Sequence, residues 1–210
     1  VLRADGVDLA VHYSNIMVYF AIFASGSGSN ALRLMASFKD HPHYRAGLVI
    51  TNRRAAGVLV HAERYGIPAL CFGKSTFAER PVEILDALIA HSIGYIVLAG
   101  FLLKVPDTLV HHYAGRVLNI HPSLLPAYGG QGMYGDHVHR AVLAAGEKQT
   151  GITIHLVNEH YDEGEILLQW KVPVLSSDSL DSLRQRVLSA EHYWYPLVLM
   201  RILMETFPER

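Results

Sequence analysis

Short apolar runs of strand length alternate along this chain with segments of helical periodicity, and that alternation leaves few folds open to it. The runs are nearly continuous in apolar residues, as strands buried on both faces require. Met17–Ala24, Gly47–Thr51, Pro68–Cys71, Tyr95–Leu98 and Val117–Ile120 read as strands. Between them Ser29–Phe38, Arg54–Tyr65, Phe77–Ala90 and Pro106–His112 read as helices. Gly66 supplies a C-cap, and Ile84, Leu85, Leu88 and Ile89 fall on one helical face. Further on come a helix over Gly135–Ala145 closed by Gly146, a hairpin of Gly151–Val157 with Glu165–Val172, and a long helix over Ser179–Met204 interrupted near Pro196. The expectation is an α/β chain with a Rossmann-like, mostly parallel sheet and helices on both faces. Of 210 residues, half are hydrophobic and 18% charged, which suits one sizeable core and a single domain over 17–210.

The sharpest local signal is V-L-N-I-H-P-S-L-L-P, Val117 to Pro126, followed later by Y-D-E-G, Tyr161 to Gly164. Side chains two apart on a strand share a face, so Asn119 and His121 project together from its C-terminal end. Pro122 removes a donor and stiffens the turn that follows. Open α/β sheets bind their ligands at such strand ends. Asn119 can donate to a developing oxyanion. His121 can move protons near neutral pH, and Asp162 can raise its pKa by stabilising imidazolium. Singly, each residue also fits a turn, a core polar group or a loop carboxylate. Together they fit acyl transfer without a covalent intermediate.

The segment A-S-G-S-G-S-N, Ala24 to Asn30, joins the first strand to the first helix. Gly26 and Gly28 permit close backbone approach, and N–H groups at a helix start suit a phosphate. It is neither a P-loop nor G-x-G-x-x-G, since Arg33 holds the third glycine's position. On pattern alone it fits a tight turn and a phosphate site equally well.

N-I-H-P-S-L-L-P, the later G-I-T-I-H with D-E-G, and the early S-G-S-G-S-N resemble the glycinamide ribonucleotide formyltransferases of the small bacterial type, from about Met17 to Met200. The resemblance implies the formyltransferase fold with its C-terminal hairpin and long helix. It implies transfer of a formyl group from 10-formyltetrahydrofolate, a co-substrate, to the amine of glycinamide ribonucleotide in purine synthesis. Asn119, His121 and Asp162 fall on the family's catalytic set. Gly28, Ser29 and Asn30 fall on its ribonucleotide-phosphate loop, and Glu191 on its carboxylate for the same substrate. Leu102, Leu103, Lys104 and Val105 fall on the folate stretch, with Asn119 shared. Common bacterial members carry an Arg there, where this chain has Leu103 and Lys104. Arg80 matches a folate-facing Arg of the family. Methionyl-tRNA formyltransferase and formyltetrahydrofolate hydrolase share part of the signature. The first adds a C-terminal tRNA-binding domain, the second an N-terminal regulatory domain. A non-catalytic folate- or nucleotide-binding module is the alternative of another class.

Several further expectations concern context. A net charge of −1 gives no general electrostatic attraction for nucleic acid or an anionic membrane, so the partners are small-molecule substrates and the chain a monomer or homodimer. Residues 1–16 carry one Arg and two Asp, lack a counterpart in the family, and read as an extension outside the fold. The run Tyr95–Val105 is too short to span a membrane and contains Gly100 and Lys104. The lone Cys71 forms no intramolecular disulfide, reads as a small buried hydrophobe, and fits a cytoplasmic setting. Thirteen histidines invite a metal reading, best at His137, His139, His155 and His160, but there is no H-E-x-x-H and formyl transfer needs no metal. Tyr128–Gly135, with four glycines, fits a mobile lid or a surface excursion.

Overall fold

The computed structural model describes residues 17–208. The expectation that 1–16 stand outside the fold concerns residues beyond those described. Seven strands form one sheet in the order β3-β2-β1-β4-β5-β6-β7. They are β1 (Val18–Phe23), β2 (Tyr44–Thr51), β3 (Ala69–Cys71), β4 (Ile93–Leu98), β5 (Val117–His121), β6 (Gln149–Leu156) and β7 (Ile166–Pro173). The first five pair in parallel, whereas β6 runs antiparallel to both β5 and β7. The helices are α1 (Ser29–Phe38), α2 (Val58–Arg64), α3 (Lys74–Glu79), α4 (Pro81–Ala90), α5 (Asp107–His112), α6 (Asp136–Ala144) and α7 (Leu180–Thr206).

Strand alternation divides the core into two layers. On one face Phe20, Ile22, Val49, Tyr95, Leu118, Ile152 and Ile154 pack with apolar residues of α1, α2, α6 and α7. On the other, Phe23, Leu48, Ile50, Ile96 and Leu98 pack with Phe77, Ile84, Leu88, Leu109 and Val110 of α3, α4 and α5. The chain winds outward from β1 through β2 to β3, then returns to place β4 on the other side of β1. That reversal opens a crevice at the carboxyl ends of β1 and β4. Both strands end in chain that lines it: the glycine loop after β1 and Gly100–Val105 after β4.

Four details depart from the sequence expectation. The segment Phe77–Ala90 is two helices, because Pro81 cannot continue α3 but starts α4 well. The helix expected from Arg54 begins only at Val58. Pro196 does not interrupt α7, whose buried residues Tyr195, Val198, Leu199 and Leu203 hold it against the sheet on both sides of the proline. Cys71 is exposed rather than buried, since β3 is the edge strand of the sheet. The hairpin turn after β6 needs Gly164, for any Cβ there would overlap the Leu156 carbonyl oxygen.

Candidate active site

Asn119 and His121 project from β5 into a cavity of about 1340 Å³. Antiparallel register sets Asn119 opposite His155 and His121 opposite Thr153 of β6. Facing residues in such a pair stand close enough for their side chains to interact. Asn119 Nδ2 is accordingly 3.0 Å from His155 Nε2. His155 Nδ1 lies 2.8 Å from the Leu156 carbonyl oxygen, so Nδ1 carries the hydrogen and Nε2 accepts from the amide. The contact fixes which way the Asn119 amide points and leaves its second N–H for the cavity.

The S-L-L-P turn is braced rather than reactive. Thr153 Oγ1 donates to the Ser123 carbonyl at 2.7 Å and accepts from Leu125 N–H at 3.0 Å. Gln169 Nε2 donates to the Leu125 carbonyl at 2.8 Å. Ser123 Oγ donates to the Ala127 carbonyl at 2.6 Å, and the Leu125–Pro126 peptide is cis. The turn thereby brings the Tyr128 carbonyl to 2.8 Å from His121 Nε2. Nε2 donates to it, which makes Nδ1 the ring nitrogen free to gain and lose a proton.

His121 Nδ1 faces Asp162 Oδ2 at 3.6 Å, and Asp162 Oδ1 lies 3.6 Å from His155 Nε2. Asp162 sits in the hairpin turn with a left-handed φ of 57°, a conformation that aspartate tolerates. Its Oδ2 also accepts the Gly130 N–H at 2.8 Å, so the carboxylate ties the glycine-rich loop Tyr128–Gly135 to the imidazole. Burial pushes Asp162 up, but the His121 charge and the Gly130 N–H pull it down, and the carboxyl is held below its usual range. Burial pulls the His121 pKa down, opposed by Asp162 and by the Tyr128 carbonyl, and the net shift is downward. The carboxylate thus acts in the expected direction, while desolvation of a side chain only 4% exposed sets the net result.

The glycine loop lines the same cavity. Gly28 caps α1 with φ 78° and no side-chain cap, and no acidic residue stands in the first turn. The positive end of that helix is therefore unmatched by any acidic residue of its own first turn. Ser25 Oγ accepts from Leu102 N–H at 2.9 Å, which fastens this loop to the chain after β4. Asn30 Nδ2 donates to Glu191 Oε2 of α7 at 2.6 Å across 161 residues. Burial pushes the Glu191 carboxyl up to about 7 against the pull of Asn30.

Ser29, Asn30, Glu191, Asn119, His121, Asp162 and Leu102 to Val105 all line this one cavity. Gly28 lies in the loop but not on the lining, and Arg80 lies off it. Arg80 is exposed, bonded to Glu83 at 2.9 Å and to Thr76 at 3.4 Å. His155 is the residue whose part sequence reasoning missed; its place opposite Asn119 requires the β5–β6 register, which no spacing reveals. Among the described residues no group of three or more His, Cys, Asp or Glu is arranged to hold a metal ion.

An open α/β sheet with an amide donor, a carboxylate-flanked imidazole and an anion-attracting helix start around one crevice defines an acyl-transfer type of enzyme. The chain belongs to the formyl transferase family, whose sequence profile matches residues 18–199. It is 35% identical over 191 residues to the phosphoribosylglycinamide formyltransferase of Bacillus subtilis, covering 89% of this chain and 95% of that one. It is 41% identical over 179 residues to the chloroplastic phosphoribosylglycinamide formyltransferase of Vigna unguiculata, covering 83% of this chain and 57% of the relative's length. The crystal structure of the phosphoribosylglycinamide formyltransferase from Bacillus halodurans superposes with a TM-score of 0.82 at 34% identity, covering 90% of this chain and 96% of that one.

Proposed function

We propose that this chain transfers the formyl group of 10-formyltetrahydrofolate to the amine of glycinamide ribonucleotide. The observation that carries the reading is the convergence of Asn119, His121, Asp162 and the glycine loop on one cavity. The ribonucleotide phosphate is read by the loop through Gly28, Ser29 and Asn30, where backbone donors and the α1 dipole favour an anion. Its sugar lies toward Glu191. The flat pteridine goes to the stretch Leu102, Leu103, Lys104 and Val105, which lines the same cavity and offers backbone groups beside apolar side chains.

The amine nitrogen attacks the formyl carbon, a C–N bond forms, and the carbonyl electron pair moves to oxygen. Asn119, held by His155, donates to that oxyanion. His121 Nδ1 takes part in moving the proton from the attacking nitrogen to the folate nitrogen; the oxyanion pair then re-forms the carbonyl as the bond from carbon to that nitrogen breaks. Asp162 stabilises the imidazolium during the exchange. The products are N-formylglycinamide ribonucleotide and tetrahydrofolate, and no step calls for a metal. The low cysteine content suits a reducing compartment such as the cytoplasm. Among the described residues no helix is long and apolar enough to cross a membrane.

Spectrophotometric release of tetrahydrofolate, measured with and without glycinamide ribonucleotide, tests the proposal. Release that depends on the ribonucleotide is expected. Equal release without it would make the chain a hydrolase, and none in either case would make it a binding module.

A further inference from the structure

We infer that Gln169, on the outer strand β7, is a positioning residue for the imidazole of His121, an inference that rests on the function proposed above. Antiparallel register sets His121 opposite Thr153 and Thr153 opposite Gln169, so the three side chains stand in one row on one face of the sheet. Gln169 is exposed, yet both hydrogens of its amide turn inward. Its Nε2 lies 2.8 Å from the Leu125 carbonyl oxygen and 3.0 Å from Thr153 Oγ1. The Thr153 hydroxyl gives its one hydrogen to the Ser123 carbonyl at 2.7 Å and accepts from Leu125 N–H as well as from Gln169. A hydroxyl so saturated cannot stand in as a donor to Leu125. Gln169 is the donor that the Leu125 carbonyl has among the described residues.

The hold on Leu125 is passed on to the imidazole. Every backbone carbonyl from Ser123 to Tyr128 receives a hydrogen bond, from Thr153, Ala127, Gln169, Gly129, Ser123 and His121 in turn. A turn whose polar groups are all matched is held to one conformation. Leu125 is its pivot. Its N–H and its carbonyl are both gripped by the row, and its side chain is buried. Leu125 Cδ2 packs so closely on Gly129 that a Cβ there would lie 2.5 Å from it. Leu125 therefore sets where Tyr128 and Gly129 run, and the Tyr128 carbonyl accepts from His121 Nε2 and fixes the ring hydrogen there. A ring released from that carbonyl can carry its hydrogen on Nδ1 instead, where Asp162 Oδ2 stands at 3.6 Å. In that form Nδ1 is already protonated and cannot take the proton of the attacking amine.

The test compares wild type with Gln169→Met, which keeps the length and loses the donors, and Gln169→Lys, which restores a donor. NMR of isotope-labelled protein follows the ring nitrogens of His121 at a pH where the imidazole is neutral. Wild type is expected to carry the hydrogen on Nε2, Gln169→Met to populate the Nδ1–H form, and Gln169→Lys to return toward wild type. Steady-state kinetics should show kcat lowered about tenfold in Gln169→Met, short of the roughly 10²-fold that a misplacement of about 1 Å can cost, with both KM values held. Thermal unfolding measures separately what Gln169 gives to the stability of β7. A Gln169→Met protein with a lower Tm but the wild-type ring form and kcat would make the residue a brace of the sheet alone and overturn the inference. A loss of kcat that Lys does not restore, or a rise in either KM in place of the fall in kcat, would overturn it too. A wild-type protein that turns over no ribonucleotide would sink the proposed reaction, while the ring comparison would still decide whether Gln169 positions His121.

Discussion

Replacing Glu191 with Gln should stabilise the protein relative to wild type as pH rises. Glu191 is 8% exposed and its only hydrogen-bond donor among the described residues is the Asn30 amide. Burial raises its pKa from 4.5 to about 7. A carboxyl raised in the folded state binds more protons there than in the unfolded chain between those two values. The contribution of this one group to stability is therefore greatest below pH 4.5 and falls until the folded carboxyl is ionised above pH 7. Integrated from pH 5 to pH 8, the loss is about 2–3 kcal/mol. For a chain of this size that corresponds to a Tm difference of roughly 5–10 °C. Gln keeps the shape, accepts from Asn30 and does not ionise. The measurement is thermal or urea unfolding of wild type and Glu191→Gln at pH 5, 6, 7 and 8. The difference between the two proteins isolates this one group from every other that titrates. A gap that grows by the stated amount in favour of the variant supports the reasoning. A gap that is flat with pH would mean that Glu191 is solvated or ion-paired in solution, and the account of its burial would be wrong.

Asp162→Asn removes the group that raises the His121 pKa and leaves the burial that lowers it. The imidazole should lose its proton at lower pH than in wild type, the basic limb of kcat/KM should shift the same way, and an NMR titration of the ring that finds no change would refute the pairing. His155→Phe keeps a ring but deletes the acceptor that orients Asn119, so kcat should fall by about 10²-fold, the worth of one oxyanion donor, with the ribonucleotide KM retained. Steady-state kinetics on both substrates check that split. Gly28→Ala places a Cβ 2.8 Å from Val58 Cα at a φ of +78°. It should cost about 2–5 kcal/mol, from left-handed strain and overpacking together, and raise the ribonucleotide KM, as unfolding curves and kinetics would report.

Much of the architecture was legible because buried parallel strands declare themselves as apolar runs. β1, β4 and β5 were visible in that way, as was the hairpin carrying Asp162. Local chemistry accounts for the misses. Pro81 splits a helix whose apolar spacing reads straight through it, while Pro196 is overridden by the burial of its neighbours. Cys71 looked like a core residue because a sequence does not say which strand lies at the edge. The same blindness to pairing hid His155, which from spacing looked like part of a loose histidine group. Asn119, His121 and Asp162 were legible through their combination, yet the net downward shift of His121 was not, since desolvation is a property of the assembled core.

The sheet reverses direction beside the strand that carries Asn119 and His121, with β4 parallel on one side and β6 antiparallel on the other. During synthesis the amide and imidazole emerge with the parallel part of the sheet, one face of which is covered only later by α6, β6 and α7. The carboxylate comes 41 residues after His121 (162 − 121), and Glu191 later still. A chain that has emerged only through β5 thus holds only part of the candidate site. The antiparallel hairpin and α7 together complete the constellation of side chains that the parallel strands begin.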